Sequence, residues 1–136
     1  MSSSENFNAY SRYYDLLYKD KNYTSEANYV VQLIKANHNT ATQILELGCG
    51  TGNHAAILCK EKYSVTGLER SAEMVELAKQ KKIENFEPIV ADITNFSVNN
   101  KFDVAVSLFH VISYLTSNNQ LVECFNTVNK HLNEKG

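Results

Sequence analysis

A glycine triplet at fixed spacing behind a short apolar run limits the folds open to this chain more than any other feature. Residues 44–52 read Ile44-Leu45-Glu46-Leu47-Gly48-Cys49-Gly50-Thr51-Gly52. By length and composition residues 43–47 form a strand, and a helical pattern follows over 53–61. A strand, a turn with almost no side chains and a helix, in that order, place the turn at the carboxyl edge of a parallel sheet. Glycine suits such a turn because a side chain would keep a ligand from the backbone, and because positive φ is open to it.

The rest of the chain supplies what such a sheet needs. Further apolar strands are expected at 63–68, 86–91 and 102–108, alternating with helical patterns as in an α/β protein with a parallel sheet. The first helix, over 27–36, puts Tyr29, Val30, Leu33 and Ile34 on one face, with Thr24 or Ser25 as its cap. Ser71 caps a later helix whose Met74, Val75 and Ala78 share a face, and Lys79, Lys81 and Lys82 suit the negative end of its dipole. Pro88 fits the third strand to a sheet edge. Val104, Ala105 and Val106 make the unbroken apolar run of a strand buried on both faces. Ser117 and Gln120 match a capping box, opening a helix that carries Leu121, Val122, Phe125, Val128 and Leu132.

Composition narrows the function classes. The 136 residues are 43% hydrophobic, a globular composition of one domain over 1–136, with polar residues 1–8 expected to fray. Thirteen basic residues against fifteen acidic ones leave a net charge of −2, no electrostatic reason to expect nucleic acid or an anionic membrane. No apolar run nears the ~20 residues of a membrane helix, and no signal-peptide core follows Met1. Cys49, Cys59 and Cys124 are odd in number, so a disulfide framework is not expected and a reducing cytoplasm is. His38, His54 and His131 are dispersed and show no metal-ligand spacing, and a small side chain suffices to explain Cys49.

The chemistry begins with Glu69, at the end of the second strand. An acid there can accept hydrogen bonds from both hydroxyls of a ribose, so turn and acid together specify an adenosine-containing ligand. A dinucleotide site wants Gly-x-Gly-x-x-Gly, with pyrophosphate resting on the helix N-terminus. Counted from Gly48, the third glycine of that pattern is Asn53, so a nicotinamide-dependent oxidoreductase is disfavoured. The compact Gly-x-Gly-x-Gly form preceded by Glu46 instead resembles motif I of class I S-adenosylmethionine-dependent methyltransferases.

The resemblance continues along the chain, over residues 10–136. Leu68-Glu69-Arg70-Ser71-Ala72-Glu73-Met74 looks like the family's second motif and Val90-Ala91-Asp92-Ile93 like its third. Residues 102–108 resemble its fourth strand, and residues 128–136 its usual helix end. Tyr13-Tyr14-Asp15-Leu16-Leu17-Tyr18 and Asp20-Lys21-Asn22-Tyr23 are similar to a branch that includes N-methyltransferases of nucleotide-linked amino sugars.

The resemblance implies a Rossmann-like, doubly wound sheet of about four strands in order 3-2-1-4 with flanking helices. It implies S-adenosylmethionine as cofactor, held by Tyr14, Tyr23, Glu46, Gly48, Cys49, Gly50, Gly52, Glu69, Arg70, Met74, Asp92, Ile93 and Leu108, without a metal. Glu69 would hold the ribose and Asp92 would meet the adenine amino group, with Met74 or Ile93 against the ring. Tyr10, Tyr13, Tyr14 and Tyr18 are candidates for an aromatic lid over the sulfonium, since cations favour aromatic faces. His110 would lie beside the methionine part, as a contact or as a general base. The implied activity is methyl transfer to a small-molecule acceptor, an amine on a sugar in particular. The alternative is a catalytically silent cofactor-binding fragment or interaction module. The family's sheet normally has seven strands, so the back end of the domain is expected to be missing. An open edge along 102–108 would then either pair with a second copy, giving a homodimer, or leave the chain poorly soluble.

Overall fold

The computed structural model describes residues 22–108, 115 and 117–136. The expectations placed on Tyr10, Tyr13, Tyr14, Tyr18 and His110 lie outside the described residues. Helix α1 (Tyr23–Asn37) is followed by β1 (Gln43–Leu47), α2 (Asn53–Lys60), β2 (Ser64–Glu69), α3 (Ala72–Gln80), β3 (Phe86–Val90), β4 (Val104–Ser107) and α4 (Asn118–Lys130). The four strands form one sheet in the order β3-β2-β1-β4, and every pairing is parallel. This is the Rossmann-like order implied above.

β1 is central and buried on both faces. Its alternation decides what each layer contains, because successive side chains of a strand point to opposite sides. Ile44 packs in a core with Ala27, Val30, Val31 and Ile34 of α1 and Ala55 and Leu58 of α2. Leu45 and Leu47 belong to the opposite core, with Leu68, Phe96, Phe102, Cys124 and Val128. Glu46 shares the parity of Ile44 and therefore points into the layer of α1 and α2.

α1 departs from expectation in two respects. Its cap is Asn22, whose Oδ1 accepts from Ser25 N at 2.9 Å, and neither Thr24 nor Ser25. Its buried stripe is Ala27, Val30, Val31 and Ile34, whereas Tyr29 is 62% and Leu33 45% exposed. Small Ala27 and Val31 complete a two-turn i, i+3, i+4, i+7 face that sits close to the sheet. α3 follows expectation: Met74, Val75 and Ala78 are buried, and Ser71 Oγ accepts from Met74 N at 3.2 Å. Replacing Ser71 with Ala is expected to cost about 1 kcal/mol, read from the denaturant midpoint, while Ser71→Asp should restore most of it.

β3 lies at one edge with its Pro88. β4 lies at the other and is shorter than expected, four residues rather than seven. Phe102 leaves the sheet to pair with the segment after α4: its N–H donates to His131 O at 2.7 Å, and Asn133 N–H donates to Phe102 O at 2.8 Å. Asp103 pins the bend, with Oδ2 accepting from Thr42 N at 2.9 Å and Gln43 N at 3.0 Å, and Oδ1 from the Asn133 amide at 2.9 Å. Val104, Ala105 and Val106 are half-buried rather than enclosed, because among the described residues no strand flanks their outer edge. The expected open edge is thus covered at its foot by the chain's own Leu132, and among the described residues no strand pairs along Val104–Ser107 on that side. Among the described residues, no helix is long and apolar enough to cross a membrane.

Candidate cofactor site at the carboxyl edge of the sheet

The turn after β1 takes positive φ at each glycine: 72° at Gly48, 57° at Gly50 and 91° at Gly52. L side chains resist this region, so the triplet is required by backbone conformation alone. Gly48 N and Cys49 N both donate to Leu68 O, at 2.7 and 3.0 Å, which ties the turn to β2. The glycines otherwise differ in purpose. A Cβ on Gly50 would meet nothing within 4 Å, leaving that face of the turn open to a ligand. A Cβ on Gly52 would come within 2.9 Å of the Phe86 ring, so this glycine lets α2 start close against β3.

Two charged side chains brace the turn. The Glu69 carboxylate accepts from Gly50 N through Oε1 at 3.2 Å and from Ser71 N through Oε2 at 2.9 Å. It therefore stands between the turn and the cap of α3, and each oxygen keeps a lone pair for a further donor. Lys81 Nζ donates to Thr51 Oγ1 and Asn53 Oδ1, both at 3.1 Å. Asn53, the residue that breaks the dinucleotide pattern, thus has a bracing role of its own. Sequence reasoning placed Lys81 only at a helix end; its link to the turn spans about thirty residues and leaves no local signal.

Cys49 is buried, and burial followed by the charges of Glu46 and Glu69 pushes its thiol up, away from reactivity. Its packing explains Gly67, which the sequence reading passed over: a Cβ there would lie 2.6 Å from Cys49 Cβ and Sγ. Asp92 Oδ1 accepts from Thr94 N at 2.9 Å and Thr94 Oγ1 at 2.7 Å. Those hydrogen bonds, with Arg70 assisting, hold its carboxyl below the ordinary range. Met74 is buried, Ile93 and Leu108 are half-buried, and Arg70 is exposed.

Glu46 is the most unusual group. It is 1% exposed, and burial followed by the charge of Glu69 pushes its carboxyl up to about 8. Its Oε2 lies 3.9 Å from His54 Nδ1, and His54 Nε2 lies 3.3 Å from Glu26 Oε1. Its Oε1 is buried without a hydrogen-bond partner among the described residues. Tyr23 sets its ring edge-on to His54, with centroids 4.9 Å apart. Sequence reasoning missed His54 and Glu26. The only available signal was a histidine two residues beyond the last glycine.

Glu46, Gly48, Cys49, Gly50, Gly52 and Glu69 are brought together at the carboxyl ends of β1 and β2, with Arg70 and Met74 at the start of α3. Asp92 and Ile93 follow β3, and Leu108 follows β4, on the same edge. Tyr23 opens α1 and reaches this cluster through His54. Among the described residues no group of His, Cys, Asp or Glu is arranged to hold a metal ion. A parallel sheet binds ligands at this edge, beside the point where strand order reverses.

The family model described as a methyltransferase domain matches residues 44–136. The chain belongs to the class I S-adenosylmethionine-dependent methyltransferases. It is 30% identical over 125 residues to the dTDP-3-amino-3,4,6-trideoxy-alpha-D-glucopyranose N,N-dimethyltransferase of Streptomyces venezuelae, covering 90% of this chain and 52% of that protein. It is 34% identical over 104 residues to the malonyl-[acyl-carrier protein] O-methyltransferase of Priestia megaterium, covering 74% of this chain and 38% of the relative. Among solved structures, the chain resembles SAM-bound CalS10, an amino pentose methyltransferase from Micromonospora echinaspora. The TM-score is 0.81 at 26% identity, over 88% of this chain and 51% of that one. The chain spans about half the length of the relatives it matches.

Proposed function

We propose that this chain binds S-adenosylmethionine at the carboxyl edge of β1 and β2 and serves methyl transfer to an amine of a nucleotide-linked amino sugar. The observation that carries the reading is Glu69, held by Gly50 N and Ser71 N beside the open face of Gly50. A carboxylate so fixed is ready to accept from two vicinal hydroxyls. Asp92, after β3, would receive the adenine amino group on Oδ2, since Oδ1 serves Thr94. Met74 and Ile93 would flank the ring, and Gly48, Cys49, Gly52, Arg70 and Leu108 would line the rest. Glu46 would face the cationic aminoacyl end, with Tyr14 and Tyr23 near it and His110 beside the methionine part.

When bound, the cofactor supplies an electrophilic methyl on a sulfonium, whose positive charge fades as the methyl moves to a nucleophile. The protein's task is then alignment and exclusion of water, an effect worth roughly 7–11 kcal/mol of barrier where geometry is good. A neutral amine needs no base to accept a methyl; His110 is the candidate where the acceptor arrives protonated.

The test has two stages. Calorimetry with S-adenosylhomocysteine should show saturable binding at a single site. Transfer of labelled methyl should then be seen to an amino-sugar nucleotide and not to a malonyl thioester. Binding without turnover on any acceptor would favour a silent cofactor-binding module. Absence of binding would overturn the reading.

A further inference from the structure

Outside the glycine turn, titratable groups gather among the described residues in the line Glu26–His54–Glu46. It runs from α1 through α2 to β1. Glu46 and His54 are buried, while the Glu26 side chain is 38% exposed. His54 directs one ring nitrogen at each carboxylate, Nε2 at Glu26 over 3.3 Å and Nδ1 toward Glu46 over 3.9 Å. A buried carboxyl facing a ring whose far side reaches a solvent-facing carboxylate is arranged as a proton path from core to water. Among the described residues, the other groups around it are Glu69 from the end of β2, Cys49 in the turn, Cys59 on α2 and the Tyr23 ring against His54. Both cysteine thiols are held up by their surroundings, so neither exchanges protons near neutrality.

We propose that His54, held from outside by Glu26, is a positioning residue that governs the charge of Glu46, so that one proton leaves this line when the cationic aminoacyl end of the cofactor docks at Glu46 Oε1. The inference rests on the cofactor reading above. Before a ligand binds, the Glu46 carboxyl holds its proton below about pH 8, because it is buried and feels the charge of Glu69. Its Oε1 has no partner among the described residues and lies buried, a position that calls for a strong donor. An ammonium there stabilises the carboxylate and lowers its pKa. The His54 ring then closes the 3.9 Å gap to hydrogen-bond distance, the O–H bond of Glu46 breaks, and the proton passes to His54 Nδ1 as the proton on Nε2 goes to Glu26 over 3.3 Å and on to water. The sign follows: binding releases a proton wherever the free carboxyl is protonated and the bound one is not. Affinity should therefore rise with pH up to about 8 and level off above it. Neither His54 nor Glu26 touches the ligand; both act through Glu46.

The experiment is calorimetric titration with S-adenosylhomocysteine, whose neutral sulfur leaves its ammonium as the one cationic group. Run at neutral pH in two buffers of different ionisation enthalpy, it counts protons directly. The wild-type chain should release close to one proton per ligand, with Kd falling about tenfold per unit between pH 6 and 7.5. Glu46→Gln should bind with no proton release and a flat pH profile. His54→Asn should weaken binding about tenfold at neutral pH by raising the Glu46 carboxyl about one further unit, the gap narrowing above pH 8 and closing about one unit higher, where Glu46 ionises unaided. A merely structural role for His54 would instead lower affinity equally at every pH, and would overturn the proposal. So would wild-type binding without proton release, a result that needs no variant and leaves the cofactor reading intact. Failure to bind at any pH would overturn both.

Discussion

Glu69→Ala is expected to weaken S-adenosylhomocysteine binding roughly ten- to 150-fold, the equivalent of ~1.5–3 kcal/mol for hydrogen bonds to a charged group. The residue has two tasks, and the experiment must separate them. Its carboxylate already accepts from Gly50 N at 3.2 Å and Ser71 N at 2.9 Å, so removal frees the turn and the cap of α3 as well as the ribose contact. Ser71 is half-buried but Gly50 is buried, so Gly50 N loses a partner that water replaces poorly, and ligand-free Glu69→Ala should itself lose about 1 kcal/mol of stability, read from its unfolding midpoint. The affinity loss should be the larger effect. Glu69→Gln sharpens the distinction: its amide oxygen still accepts from one backbone N–H, but its NH2 faces the other donor and cannot accept from a hydroxyl. It should hold the fold nearly as well as the wild type and bind nearly as poorly as Glu69→Ala. Unchanged affinity in either variant would remove Glu69 from the site and with it the main support for the ribose assignment.

What could be read from the sequence, and what could not, divides along contact distance in the chain. β1 was legible to the residue, because a strand flanked on both sides is apolar on both faces and runs straight into its glycines. The Ser71 and Ser117 caps were legible because a cap is a contact over three residues. α1 was misread for a different reason. Val30 and Ile34 are on the expected face, but packing against the sheet completes it with small Ala27 and Val31 in place of the bulkier Tyr29 and Leu33. The Glu26–His54–Glu46 line could not be read at all. Glu26 and His54 lie 28 positions apart, and they meet because α1 and α2 cover the same face, to which the parity of β1 also commits Glu46. The bend at Phe102 was hidden likewise: its partner Leu132 belongs to the segment after α4, and only the folded chain brings the two together.

That bend carries the largest stability effect expected here. Phe102 is 0% exposed and sits in the core formed with Leu45, Leu47, Phe96, Cys124 and Val128. Its ring fills the space under α4, while its backbone pairs with the segment after that helix through His131 O and Asn133 N. The backbone bonds survive truncation, but the side chain is what gives α4 a surface to dock on. Phe102→Ala should therefore cost about 3–5 kcal/mol, the range for emptying a phenylalanine site that neighbours refill only in part. For a domain of this size that is a large fraction of total stability. Phe125 is the internal control: it lies on α4 itself but is 57% exposed, so Phe125→Ala should change stability by no more than about 0.5 kcal/mol. Phe102→Leu should fall between them, because it keeps much of the volume. Urea titrations of the three variants, with slopes compared to confirm a common transition, give the ordering directly. A loss below about 1 kcal/mol for Phe102→Ala would mean that α4 is held to the sheet by something other than this ring.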